Sequence, residues 1–131
     1  MTAYRPEDIP LLLDDPAIGQ GRALEAGGMM LQREHFNAGV DAGEVFKGLP
    51  DDACQSPHWG YVISGNLKVR TTAGEVEEHP AGTLYYLSPG HVPFFDEATD
   101  LVEFSPAEDY AHTMEHAGKR MEELAAAASP G

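Results

Sequence analysis

Short runs of residues that alternate between apolar and polar side chains occupy most of the chain between residues 29 and 106. Glycine- or proline-containing turns separate these runs, and several runs are rich in β-branched and aromatic residues. The pattern predicts strands in the segments MMLQREHFNAG, EVFKGLP, WGYVIS, LKVRTT, EVEEH, TLYYL, HVPFF and LVEFS. Many short strands joined by close turns indicate an all-β antiparallel sandwich or small barrel.

The period of the pattern changes after residue 105. Ser105, Pro106 and Glu108 fit an N-cap, a proline at the first helical position and a capping-box glutamate. The apolar residues that follow recur at spacings of four and three, and they are Tyr110, Met114, Ala117, Met121 and Leu124. This spacing predicts one C-terminal α-helix that reaches roughly residue 126 and packs outside the barrel or against a second subunit.

The first 28 residues contain several prolines and glycines and end in EAGG. We interpret them as an N-terminal arm that lies over the domain. The predicted organisation is therefore an arm over residues 1–28, a barrel over 29–106, and a helix with a tail over 107–131.

Composition narrows the class of protein. The 131 residues, 42% of them apolar, suit one domain with one core. The formal net charge of −14 disfavours nucleic acid and anionic membranes as partners. A single cysteine excludes an internal disulfide, and the start MTAYRPEDIPLLLDDP has no pattern of a signal peptide or membrane span. We expect a cytoplasmic protein.

The rarest side chains lie together in the segment CQSPHWG, residues 54–60. Cys54 and His58 would be about 13 Å apart on a straight strand, but a tight turn at QSP would bring them together. Thiolate and imidazole are ligands for zinc and other borderline transition metals. His91 follows the turn SPG, while Asp52 and Glu103 are possible oxygen ligands.

The segment from Gly48 to Pro106 resembles the cupin superfamily. YVISGNLKV is similar to the end of the first cupin motif, with Gly65 as its closing glycine. GTLYYLSPGHVPFF is similar to the second motif from Gly82 to Gly90, and the stretches PHWGYV, PGH.P and EFSP resemble those of stand-alone bacterial cupins. The resemblance implies a cupin-type, jelly-roll-like antiparallel β-barrel.

The usual metal ligands of cupins are replaced in this sequence. By the same alignment, Asp52, Cys54 and His58 stand at the three ligand positions of the first motif. Pro93 stands at the histidine position of the second motif, and His91 lies two residues before it. The resemblance thus implies a remodelled site, for which we select Cys54, His58, His91 and Glu103 as the candidate metal ligands.

Each candidate also has a purely structural interpretation. Cys54 could be a small buried apolar residue, and His58 and His91 could bond only to protein groups. Glu103 could face the core or the solvent, and an inward carboxylate would need a cation or a donor. His112 and His116, four apart on the predicted helix, are interpreted as an exposed pair.

Three functions follow as hypotheses. The first is a metal-dependent cupin enzyme acting on a small organic molecule; a thiolate ligand favours zinc, while the resemblance also allows iron, nickel or manganese. The second is a module that binds or senses a small ligand or a metal, and the third is a metal-free cupin with a structural role. We also expect a homodimer, with the arm and the Tyr110–Leu124 stripe supplying apolar surface.

Overall fold

In the computed structural model of the protein, which describes residues 2–128, the chain forms two antiparallel sheets and one α-helix. The elements are β1 (Leu11–Asp15), β2 (Gly19–Ala26), β3 (Met29–Phe36), β4 (His58–Ser64), β5 (Asn66–Thr71), β6 (Val76–Pro80), β7 (Leu84–Leu87), β8 (His91–Phe94), β9 (Thr99–Pro106) and α1 (Ala107–Ala128). The larger sheet has the strand order β1-β2-β3-β9-β4-β7 and the smaller one β6-β5-β8. The predicted all-β fold with a single C-terminal helix is confirmed.

The N-terminal segment differs from the predicted arm. Strands β1 and β2 extend the larger sheet, and β2 pairs with β3 along its whole length, from Gly19 opposite Phe36 to Ala26 opposite Met29. Gly27 and Gly28, with φ of 61° and 85°, form the two-residue turn of this hairpin. The predicted boundary at residue 28 therefore falls inside a hairpin, because the glycine pair that suggested a loose segment is a tight turn.

The predicted strand EVFKGLP is also wrong. Short 3-10 helices occupy Ala42–Glu44 and Pro50–Asp52 in this region instead. The Asp41 side chain accepts a hydrogen bond from the Gly43 N–H, and Pro50 begins the second of these helices. Side-chain capping and proline thus favour turns here over a sheet ladder.

The N-cap at Ser105 would make Pro106 the first helical residue, which is one residue too early. Ser105 lies in β9 with its side chain fully buried, and α1 begins at Ala107. The serine hydroxyl is used in the interior instead of as an N-cap, as described below. No helix among residues 2–128 combines the length and the apolar character needed to cross a membrane.

The core lies between the two sheets. One cluster comprises Val62, Leu67, Val69, Tyr85, Leu87, Phe95 and Leu101. A second, smaller cluster of Phe46, Leu49 and Cys54 lies beneath the loop that leads into β4. The cysteine is thus held on the inner side of this loop, next to the first residue of β4.

Gly60 lies on β4, next to the last strand of the larger sheet, and determines how the Tyr85 ring packs there. It lies opposite Tyr85 on β7 and opposite Glu103 on β9. A Cβ atom at residue 60 would collide with the Val102 carbonyl oxygen and would lie 2.5 Å from Cζ of Tyr85. Because residue 60 has no side chain, there is space for the Tyr85 ring in the core.

We expect Gly60→Ala to lower the free energy of unfolding by about 1–3 kcal/mol, because both the tyrosine ring and a backbone strand must shift. Urea denaturation measures this change. Gly118→Ala is the matched control: Gly118 lies in α1 with open space where a Cβ would stand. That change should raise the free energy of unfolding by about 0.5–1 kcal/mol, and an unchanged midpoint for Gly60→Ala would contradict the packing argument.

Candidate metal centre

The backbone brings Cys54 to the start of β8. The Cys54 N–H donates to the carbonyl of His91 at 2.9 Å, and the Gly90 N–H donates to the carbonyl of Cys54 at 2.7 Å. The segment QSP then reverses the chain, so that His58 begins β4 beside the cysteine. The bridge and the QSP segment therefore bring Cys54 and His58, which are four residues apart, together with His91 from a later strand.

Cys54, His58 and His91 form one compact cluster. The Cys54 Sγ lies 3.4 Å from Nε2 of His58, and one ligand atom from each residue lies within 4.8 Å of the others. All three side chains are buried. Metal–ligand bonds of about 2.0–2.3 Å in a tetrahedral zinc site place ligand atoms somewhat less than 4 Å apart. The cluster is thus slightly wider than a closed zinc site.

The hydrogen-bonding state of His91 is determined by Ser88. Nδ1 of His91 lies 2.6 Å from the Ser88 carbonyl oxygen, which can only accept, so Nδ1 carries the proton. At neutral pH the other nitrogen, Nε2, then presents a lone pair. This Nε2 is buried and has no hydrogen-bond partner among the described residues. A buried nitrogen without a partner is costly in the protein alone and is satisfied by a bound ion.

His58 is oriented by a chain of buried polar groups. Its Nδ1 lies 2.6 Å from the Ser105 hydroxyl, to which the Gln32 amide also donates at 2.7 Å. The two lone pairs of the serine oxygen can accept both bonds. In that arrangement Nδ1 of His58 is the donor, and Nε2, on the side of Cys54, offers its lone pair.

Burial keeps all three side chains neutral. It lowers the pKa of His58 to about 4, and it lowers the pKa of His91 to about 4 with a further contribution from the neighbouring His58. Burial also raises the pKa of the Cys54 thiol to about 11. The imidazoles are therefore ready to coordinate a cation, while the thiol would lose its proton to one.

Glu103 lies on the other side of His58. Its Oε2 is 3.7 Å from Nδ1 of His58, and its Oε1 accepts a hydrogen bond from the Tyr85 hydroxyl at 2.9 Å. The Glu103 side chain also bonds to Glu34. Of the two orientations that the sequence left open, Glu103 adopts the inward one. It is not among the three residues of the compact cluster.

The carboxyl groups of Glu34 and Glu103 have altered acidity. Burial raises the pKa of Glu103 to about 7 and raises that of Glu34 well above its usual range, and the Glu103 charge also raises the latter. Glu34 was not among the candidates selected from the sequence. The strand register could have indicated it, because Glu34 lies opposite the core residue Leu101.

The remaining sequence candidates lie away from the cluster. Asp52 is exposed, and its carboxylate accepts a hydrogen bond from the Gly48 N–H at 2.9 Å. His112 is exposed, whereas His116 is half-buried and donates from Nε2 to the Lys47 carbonyl at 2.6 Å. The prediction of an exposed histidine pair is therefore correct only for His112.

A cavity of about 190 Å³ adjoins the three clustered residues. Both sheets and the helix supply its mainly apolar walls, which include Phe36, Val40, Phe95, Met114 and Met121. Four residues of the apolar stripe of α1, Tyr110, Met114, Ala117 and Met121, thus line the cavity, while Leu124 and part of Met114 stay exposed. Buried polar groups at the edge of an apolar cavity are typical of small-molecule sites.

No protein-family model and no curated protein sequence matches the chain. Solved structures do share its fold. Ectoine synthase from P. lautus is 18% identical, with a TM-score of 0.57, over 81% of this chain and 78% of that one. An RmlC-like cupin from Shewanella frigidimarina is also 18% identical, with a TM-score of 0.57, over 79% of this chain and 89% of that one.

A variant of the oxalate decarboxylase of B. subtilis is 13% identical, with a TM-score of 0.54, and the match covers 79% of this chain and 28% of that one. At these identities the comparisons establish the fold. The protein has the cupin fold, and the resemblance inferred from its turn glycines is confirmed at that level.

The low pKa of His91 predicts a pH dependence of stability in metal-free protein. The folded-state pKa is about 4 and the ordinary value is 6.5, so the unfolded chain binds the proton more readily between these values. This contribution to stability is fully present above pH 6.5 and is lost as the pH falls toward 4. His91→Gln should flatten the decline by up to about 1 kcal/mol per pH unit, measured by urea denaturation in the presence of a chelator.

Glu34 and Glu103 act in the opposite direction, because their raised pKa values favour the folded state at lower pH. Both carboxyl groups are present in the wild type and in His91→Gln, so their contribution cancels when one curve of stability against pH is subtracted from the other. His112→Gln, at an exposed site, should leave the wild-type curve unchanged. Identical slopes for wild type and His91→Gln would contradict the assigned neutral state of His91.

Proposed function

We propose that this protein binds one divalent transition metal ion per chain through Cys54, His58 and His91 and holds a small organic molecule in the adjoining cavity. The observation that carries the proposal is the unpartnered Nε2 of His91, beside a thiol and a second imidazole. The residues fit a metal because both histidines can offer a lone pair while their other ring nitrogens are hydrogen-bonded.

The donor set favours zinc. A sulfur and two imidazole nitrogens suit a borderline cation, with iron, nickel and manganese as the alternatives. Three protein ligands also leave a coordination position for water or a bound molecule, as in catalytic zinc sites. We do not include Glu103 among the three, since it faces the other ring nitrogen of His58.

The chain's own groups would orient and shield the bound molecule. The apolar walls from both sheets and α1 exclude water, and Ser105 and Ser88 hold the two imidazoles in fixed orientations. A bound zinc ion would supply Lewis-acid chemistry at this site. Two of the structural neighbours are enzymes, which supports transformation of the bound molecule; a binding or sensing module is the alternative.

Protein purified without added metal should contain close to one zinc ion per chain, measured by elemental analysis. Cys54→Ala and His58→Ala should lose that metal and the rise in melting temperature that zinc gives to the wild type. His112→Ala should change neither quantity. Wild-type protein that never binds zinc or another transition metal would refute the site, and metal loss in Glu103→Gln would identify Glu103 as a fourth ligand.

We also propose that two copies pair through the outer face of the larger sheet. A set of large apolar side chains lies exposed there on adjacent strands, and it comprises Trp59, Tyr61, Ile63, Leu84, Tyr86 and Phe104. We call these residues the outer patch. None of them is charged, so contact through the outer patch brings no like charges together, although each chain carries a net charge of −14.

The edge of the sheet favours a second copy as the partner. Strand β7, which carries Leu84 and Tyr86, is the last strand of the larger sheet. Its outer backbone groups are available to a β7 strand of another chain, and antiparallel pairing would place the two outer patches side by side. The same face on both copies would then form the contact.

Leu84→Glu should convert a dimer into a monomer, because it places like charges at the centre of this contact. Light scattering at micromolar concentration measures the mass. Val76→Glu is the matched control, since Val76 is exposed on β6, at the edge of the smaller sheet. A monomeric wild-type protein, or a Leu84→Glu protein that stays dimeric, would refute this interface.

A further inference from the structure

The cavity has a second polar feature besides the metal cluster. The carboxyl groups of Glu34 and Glu103 both line it and are hydrogen-bonded to each other. The Tyr85 hydroxyl donates to Glu103, which fixes one side of the pair. The Glu103 carboxyl group lies beyond the His58 ring as seen from Cys54, because Glu103 approaches Nδ1 while Cys54 approaches Nε2.

No lysine or arginine in the part of the chain that the structure describes forms an ion pair with either carboxyl group, although Arg22 and Arg33 line a second cavity that Glu34 also borders. No lysine or arginine among the described residues lines the cavity. The ion pairs of the described residues include neither Glu34 nor any lysine or arginine beside Glu103. The third carboxylate that lines the cavity, Asp41, is already paired with Arg70 at 2.7 Å. Glu34 and Glu103 therefore form an acidic end in an otherwise apolar space.

Carboxyl groups held away from bulk water, as Glu103 is in full and Glu34 in part, are stabilised in two ways. Either the two groups share a proton, or a cation lies against them. The cavity lining supplies no lysine or arginine, so a positively charged group of a ligand would be the source of such a cation. The cavity is also built to take an occupant, since the buried His91 that lines it presents an unpartnered nitrogen.

We propose that the molecule bound in this cavity is a small organic amine, whose ammonium group lies against Glu34 and Glu103 and whose apolar body fills the space between the sheets and α1. This deepens the proposed function, because it names the class of molecule for the same cavity. The volume of about 190 Å³ sets the size. A dry cavity of about 150 Å³ can hold benzene, so an aromatic ring with one short substituent fits here.

The test compares three probes that share an aromatic ring and differ in charge: benzylamine, benzyl alcohol and benzoate. Isothermal titration calorimetry near neutral pH, on metal-loaded wild-type protein, measures their affinities. Benzylamine should bind at least about tenfold more tightly than benzyl alcohol, because the ammonium group makes charge-assisted hydrogen bonds to the carboxylates. Benzoate should bind most weakly.

Glu34→Gln tests the carboxyl pair itself. It keeps the shape of the side chain and can donate to Glu103, so the variant should fold. Benzylamine affinity should fall to that of benzyl alcohol, while benzyl alcohol affinity should not change. Glu25→Gln, at an exposed residue of β2, alters the net charge equally and should leave all three affinities unchanged.

The Cys54→Ala variant separates this inference from the metal proposal. An amine could also coordinate a metal ion, so the preference for benzylamine must persist in this metal-free protein. Loss of the preference there, equal affinities in the wild type, or no binding of benzylamine would overturn the inference. Absence of metal from the wild type would instead refute the proposed metal centre, and it is read separately by elemental analysis.

Discussion

The candidate site depends on the short backbone bridge between Cys54 and the turn that precedes β8. Three backbone hydrogen bonds, which link Cys54 to Gly90 and His91, attach the loop between β3 and β4 to the smaller sheet. The same loop enters β4, which belongs to the larger sheet. The bridge thus joins the two sheets at the position where three polar side chains converge.

The two histidines can be buried because each has a ring nitrogen that is hydrogen-bonded to another protein group. Ser105 and Gln32 satisfy one nitrogen of His58, and the Ser88 carbonyl satisfies one nitrogen of His91. A serine that sequence analysis assigned to a helix cap is used inside the sheet instead. Polar networks of this kind rigidify a core when every member is paired, and here one nitrogen of His91 is left over.

The strands and contacts that were predicted correctly are those marked by residues close together in the sequence. The turn glycines and alternating segments identified β3 to β9 except for the loop before β4, and the QSP turn correctly brought Cys54 and His58 together. The sequence did not predict β1 and β2, because the glycines and prolines at their ends read as a loose segment. The pairing of Glu34 with Glu103 depends on strand register across β3 and β9, which no local pattern specifies.

The protonation states of the three clustered side chains have a consequence for the exchange of protons with solvent. Both imidazoles are already neutral near pH 7, whereas the thiol still holds its proton. Metal uptake would therefore release a single proton, from sulfur, and the histidines would contribute none. The affinity for metal would rise about tenfold per pH unit through the neutral range. The burial of Cys54 therefore determines how strongly protons compete with a metal ion for its sulfur atom.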